Sequence, residues 1–149
     1  MQSIIHYKKA GAQEYKQVYQ LLQEENLPVV DLNPVLENFF VAMDNNILAG
    51  VIGMDRYGNN GLLRSAVVQK DYRNSGIAGS LVNQLFNCAK EQGVTTLYLI
   101  TNTAVEYFKR KGFVTTTRDS VPDSVLQSKE FNGLCPASAV IMTLQLVIF

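Results

Sequence analysis

The sequence predicts a mixed α/β domain over residues 1–149, a mostly antiparallel sheet flanked by helices. Three observations predict it. Residues 62–93 run from an apolar strand through a glycine-bearing loop into a helical apolar period. Asparagine-rich turns at 44–46 and 57–61 separate three apolar runs between Phe39 and Val68, which orders those strands as antiparallel neighbours. After the helix, residues 95–100, 113–117 and 138–148 are further β-rich runs.

In chain order, residues 3–7 form a short first strand that ends before Gly11. Tyr15, Val18, Tyr19 and Leu22 recur at helical spacing among polar residues, predicting an amphipathic helix over 12–26 that stops at Asn26 and Pro28. Asp31 and Asn33 ahead of Pro34 predict a short second helix within 27–38, because proline suits the first helical position. The strands 39–43, 47–54 and 62–68 follow, then a helix over 77–92 ended by Gly93. A strand at 95–100, a short helix over 104–111 stopped by Gly112, and a strand at 113–117 come next. Residues 118–134 are polar and interrupted by Pro122, with one helix over 122–129, and 138–148 closes the sheet. No repeat, linker or low-complexity tract interrupts the chain.

Thirteen basic and thirteen acidic side chains cancel, so no overall field favours nucleic acid or an acidic membrane surface. No basic stripe with interleaved aromatics is present to bind nucleic acid. Hydrophobic residues make up 47% and charged residues 17%, a globular balance. Nowhere do eighteen apolar residues run together, and the N-terminus lacks a signal-peptide core, so the expectation is a soluble cytoplasmic protein. Cys88, Cys135 and the single His6 give no metal-ligand spacing, and no metal is expected.

The chemistry concentrates between Leu62 and Gly93. The first N–H groups of a helix lack internal partners and carry the positive end of its dipole, so a helix start after a glycine loop is suited to a phosphate. Neither Gly-x-x-x-x-Gly-Lys-Ser/Thr nor Gly-x-Gly-x-x-Gly is present. What stands there is Arg73-Asn74-Ser75-Gly76-Ile77-Ala78, the pattern Arg-x-x-Gly-x-Ala. This resembles the acetyl-CoA pyrophosphate loop of the GNAT superfamily of N-acetyltransferases. The surrounding order of strand, loop, helix, strand and a short helix ending in Gly112-Phe113 resembles that family as well.

The resemblance implies an acyl-CoA N-acyltransferase fold with acetyl-CoA as cosubstrate. It places Arg73, Asn74, Ser75, Gly76, Ile77 and Ala78 on the pyrophosphate, and the backbone of Ala66, Val67 and Val68 along the pantetheine arm. The family's usual tyrosine acid falls on Phe108 and its frequent asparagine on Thr101, both expected to line the cofactor. Neither carries the usual group, and Tyr107 lies one residue away, about a hundred degrees around the helix; no catalytic acid is assigned. Leu62-Leu63-Arg64-Ser65 together with Arg118-Asp119-x-Val121-Pro122 and 134–139 resemble a GNAT branch found with arsenic-resistance genes. That branch is similar to the acetyltransferase domain of N-acetylglutamate synthase, and it implies an amino-acid-like acceptor.

Arg64 falls inside an apolar strand, where alternation puts Leu62, Arg64, Ala66 and Val68 on one face. Its charge cannot be lost, so it needs a partner. Two readings stand: an ion pair with Asp31, Glu37 or Asp55, or exposure at the strand end; and bidentate binding of an acceptor carboxylate. Asp31 and Glu37, in the segment where the family shapes its acceptor pocket, are candidate bases for the acceptor ammonium, although helix-entry caps and surface charge are the favoured reading. His6 reads as a strand residue, and Cys88 and Cys135 as packed thiols.

The function expected is transfer of acetyl from acetyl-CoA to the amine of a small amino-acid-like acceptor, by direct attack in a ternary complex. An acyl-CoA-binding sensor without catalysis is the alternative, motivated by Phe108 and Thr101. Residues 144–149 suit either sheet core or a dimer strand, so a homodimer stays open.

Overall fold

A computed structural model describes residues 4–128 and 139–146. In chain order the elements are β1 (Ile5–Lys9), α1 (Tyr15–Glu24), β2 (Phe39–Asp44), β3 (Ile47–Tyr57), β4 (Asn60–Val68) and α2 (Ile77–Glu91). They continue with β5 (Thr96–Thr101), α3 (Val105–Arg110), β6 (Val114–Thr116), α4 (Asp123–Leu126) and β7 (Val140–Gln145). The strands make one mixed sheet in the order β1-β2-β3-β4-β5-β7-β6, flanked by helices as the sequence predicts. The chain divides into two compact units, Met1–Met54 with Ser65–Cys88 and Asp55–Arg64 with Ala89–Phe149; β3 and β4 run through both.

In the first unit, β1 lies antiparallel to β2 with Ile5 opposite Asp44, and β2 antiparallel to β3 with Asp44 opposite Ile47. The turn between them is the two residues Asn45-Asn46, with Asn45 at φ +54, a conformation asparagine tolerates. Helix α1 has no side-chain N-cap bond. Its buried Val18, Leu21 and Leu22 hold it against Leu36, Phe39, Val41 and Val51, each such side chain worth roughly 1.5–3 kcal/mol. A Cβ on Gly53 would stand 2.4 Å from the buried Phe39 ring, so only glycine lets that ring lie flat on β3.

In the second unit, β4 runs parallel to β5, with Leu62 opposite Tyr98. Strand β7 pairs antiparallel with β5 along its whole length, from Thr96 opposite Gln145 to Thr101 opposite Val140, and with β6 on its other side. Leu62, Tyr98, Val121 and Val125 form a core cluster here.

Three expectations are corrected. No helix forms within 27–38, because the Asn33 side chain takes the Val35 N–H (2.9 Å) and Leu36 and Asn38 are left-handed, at φ +52 and +62. The helix expected over 122–129 is the single turn of α4, its last predicted residue, Lys129, lying outside the described residues. The last strand joins the sheet as expected, inserting between β5 and β6. Strict alternation along β4 breaks at Ser65, which sits at φ +58 inside the strand. Among the described residues, no helix is long and apolar enough to cross a membrane.

Candidate functional site

The loop after β4 is built from its base upward. Gln69 donates its backbone N–H to Ala49 O (2.7 Å) and its side-chain amide to Leu48 O (3.0 Å), which fixes where β4 ends. A single 3-10 turn, Lys70–Tyr72, follows. The Tyr72 hydroxyl donates to Asp44 Oδ2 at 2.6 Å. That hydrogen bond, with burial and the Asp44 charge, raises the Tyr72 pKa, so the tie persists through neutral pH. Ser75 Oγ donates to Tyr72 O and closes the turn.

Asn74 and Gly76 both have positive φ, +64 and +84, so the chain bends sharply twice just before the helix. Helix α2 starts at Ile77, and Ser80 donates to Gly76 O (3.2 Å) in its first turn. A Cβ on Gly76 would meet nothing within 4 Å. Arg73, Asn74, Ser75 and Gly76 are exposed, Ile77 is buried and Ala78 is half-buried. Exposed backbone at a helix start, with open space beside a left-handed glycine, fits a pyrophosphate. Arg73 frames this loop: its Nε donates to Val68 O (3.0 Å) and its guanidinium pairs with Glu25 at 2.9 Å. The Glu25 partner lies 48 residues away along the chain, and no local pattern signals it.

Along the preceding strand, Ala66 is exposed and Val67 and Val68 are half-buried. Arg64 is only 1% exposed and pairs with Asp55 at 3.0 Å; Asp55 itself is 28% exposed. The ion-pair reading made from the sequence is therefore present, with the third of its three candidate carboxylates. Asp31 is half-buried, Glu37 and His6 are exposed, and Cys88 is half-buried on α2. Cys135 lies outside the described residues. Among the described residues, no three His, Cys, Asp or Glu side chains are placed to hold a metal ion.

In the second unit, Thr101 Oγ1 accepts the Ala104 N–H (3.1 Å) and shapes the turn before α3. Phe108 is buried, edge-on to Tyr107 at 5.2 Å and to Phe113 at 5.5 Å. The Tyr107 hydroxyl is buried, with no hydrogen-bond partner among the described residues. Burial raises its pKa, opposed by Arg110, so the phenol stays protonated at neutral pH. The Arg110 guanidinium and the Lys111 ammonium stand 5.9 and 5.5 Å from its ring centroid. Sequence periodicity gave Tyr107 no role; its buried phenol emerges only from the packing of α3.

A strand that ends in this loop, a helix that begins at Gly76 and a mixed seven-stranded sheet define an acyltransferase architecture, and residues 36–115 match the acetyltransferase (GNAT) domain family. The chain belongs to that family. Among solved structures it is similar to N-acetylglutamate synthase from Neisseria gonorrhoeae complexed with coenzyme A and L-arginine, at 16% identity and a TM-score of 0.81, over 97% of this chain and 34% of that one. The same synthase complexed with coenzyme A and N-acetyl-glutamate gives 17% identity and 0.80, over 99% of this chain and 36% of that one. This chain thus spans about a third of the synthase's length. Rv2747 from Mycobacterium tuberculosis, in complex with CoA and NLQ, gives 19% identity and 0.77, over 95% of this chain and 99% of that one. No curated protein sequence matches the chain.

Proposed function

We propose that this chain is an acetyl-CoA-dependent N-acetyltransferase acting in the cytoplasm on the amine of a small amino-acid-like acceptor. The observation that carries the reading is the exposed loop Arg73 to Ala78, with left-handed Gly76 facing open space at the start of α2, in a chain of the GNAT family. Bound acetyl-CoA would supply an activated acetyl thioester. The loop's N–H groups and Arg73 hold the pyrophosphate, and the backbone of Ala66, Val67 and Val68 pairs with the pantetheine arm. Asp31 receives the acceptor ammonium. Asp31 takes one proton from that ammonium, directly or through water; the freed amine lone pair forms the new C–N bond as the C–S bond breaks, and the second nitrogen proton passes through water to the departing thiolate. For Arg64 we favour the structural pair with Asp55 over contact with an acceptor carboxylate, since its side chain is 1% exposed.

The acceptor class is supported by the amino-acid ligands of the synthase structures, and the branch resemblance extends it to arsenic-containing glutamate analogues. The test is thiol release from acetyl-CoA across a panel of α-amino acids beginning with glutamate. Acceptor-dependent release is expected. Acetyl-CoA binding with no release from any acceptor would instead establish the sensor reading, which Phe108 at the usual acid position favours.

Glu25 makes a second measurable prediction. Its carboxylate sits 2.9 Å from the Arg73 guanidinium and competes with an incoming anion. Glu25→Gln is expected to tighten acetyl-CoA binding about two- to fivefold at low salt, the range of an exposed ion pair, with the gain shrinking as salt rises. Titration calorimetry at two ionic strengths checks it; weaker binding at both would mean that Glu25 orients Arg73 rather than opposing the ligand.

A further inference from the structure

Ser65 is the one residue of β4 with positive φ, +58, and it follows directly on the buried Arg64. L side chains rarely adopt that conformation, and in a strand it disrupts the regular ladder. Something must hold it there. On one side, Arg64 is tied to Asp55 of β3 at 3.0 Å, and its charge cannot be shed to allow another placement. On the other side, Val67 packs against the α1 core cluster. Because a one-residue change of phase moves every following side chain to the opposite face, a strand pinned at both points must absorb the mismatch between them. Burial marks where it does so: residues 61–65 are buried without alternation, and Ala66 is exposed.

We infer that the Arg64–Asp55 pair is a positioning device, which holds Ser65 in its left-handed conformation and thereby aims the backbone of Ala66, Val67 and Val68 for the transfer reaction. The second half rests on the acetyltransferase reading. Arg64 and Asp55 do not touch the reacting atoms; they act through Ser65.

The test is the double variant Arg64→Met with Asp55→Leu, which replaces the pair by apolar side chains of similar bulk, an exchange buried ion pairs often tolerate. It is expected to fold and to keep the pyrophosphate loop, so acetyl-CoA binding weakens by less than about tenfold through the pantetheine contacts alone, while kcat falls further, about a hundredfold, from misdirected groups. An unchanged kcat in the folded variant would overturn the inference. A crystal structure of the variant reads the first half without reference to activity. Ser65 returned to extended φ supports the clamp, and Ser65 still near +58 overturns it. Wild-type protein that turns over no acceptor would sink the acetyltransferase reading, yet the φ comparison would still decide the clamp. Should the double variant not fold, Asp55→Asn, which removes the charge and keeps the shape, is measured in the same two ways.

Discussion

Acetyl-CoA titrated into Gly76→Asp is expected to bind about a hundredfold more weakly than into wild type, with the variant still folded. Two opposing terms decide the size. The new Cβ meets nothing within 4 Å, so no packing is lost, and aspartate is among the residues that tolerate the φ of +84. Stability should therefore fall only by the cost of left-handed backbone, about 1–2 kcal/mol. The charge acts on the ligand: a carboxylate about 4 Å from a phosphate costs roughly 1 kcal/mol in water and about 4 kcal/mol at the effective dielectric of a protein surface. A hundredfold loss, about 2.7 kcal/mol, falls between those limits. Calorimetry with a thermal melt of each protein checks it. Equal affinity in the two proteins would remove the loop from the cofactor site, whereas an unfolded variant would make Gly76→Asn, without the charge and tolerant of positive φ, the comparison to use.

The largest effect on stability is expected from Asp55→Ala, about 3 kcal/mol or more. Arg64 is 1% exposed and keeps its charge at any accessible pH, so losing the carboxylate at 3.0 Å removes an ion pair from a buried cation that cannot neutralise itself. Arg64→Ala should cost less in electrostatics, because Asp55 is 28% exposed and can be hydrated once its partner is gone. The ordering of the two variants in urea midpoint is the discriminating result. If Asp55→Ala were as stable as wild type, the pair would be worth nothing to the fold.

Local chemistry made most of the elements readable in advance. The hairpin at Asn45-Asn46 and the turn at Gly58-Asn59 could be read because few residues tolerate the positive φ found at Asn45 and Gly58. Helix α2 was readable from Ile77, Leu81, Val82, Leu85 and Ala89, all buried on one stripe. What escaped was decided by competition or by distance. Asn33-Pro34 offered a helix start, but the asparagine side chain bonded its own neighbour's backbone first. The alternation rule cannot see Ser65, since nothing in Arg-Ser-Ala announces a left-handed serine. In the site, Gly76 was legible because glycine serves such backbone, but Glu25 beside Arg73 and Asp44 beneath Tyr72 are tertiary partners. Asp55 was one of three carboxylates open to Arg64, and only the fold chose among them.

The place of β7 between β5 and β6 bears on how the protein is made. Synthesis runs from the N-terminus, and β6 leaves the ribosome with no strand to pair with, since its neighbour is β7. Until residues 140–145 emerge, β5 shows an open edge to the cell and β6 cannot join the sheet. Completion of the second half of the fold is therefore a late, long-range event, of the kind that slows folding and exposes nascent chains to aggregation. Chaperone demand should fall on the interval before residues 140–145 emerge, while the first unit can already fold around α1, β1 and β2.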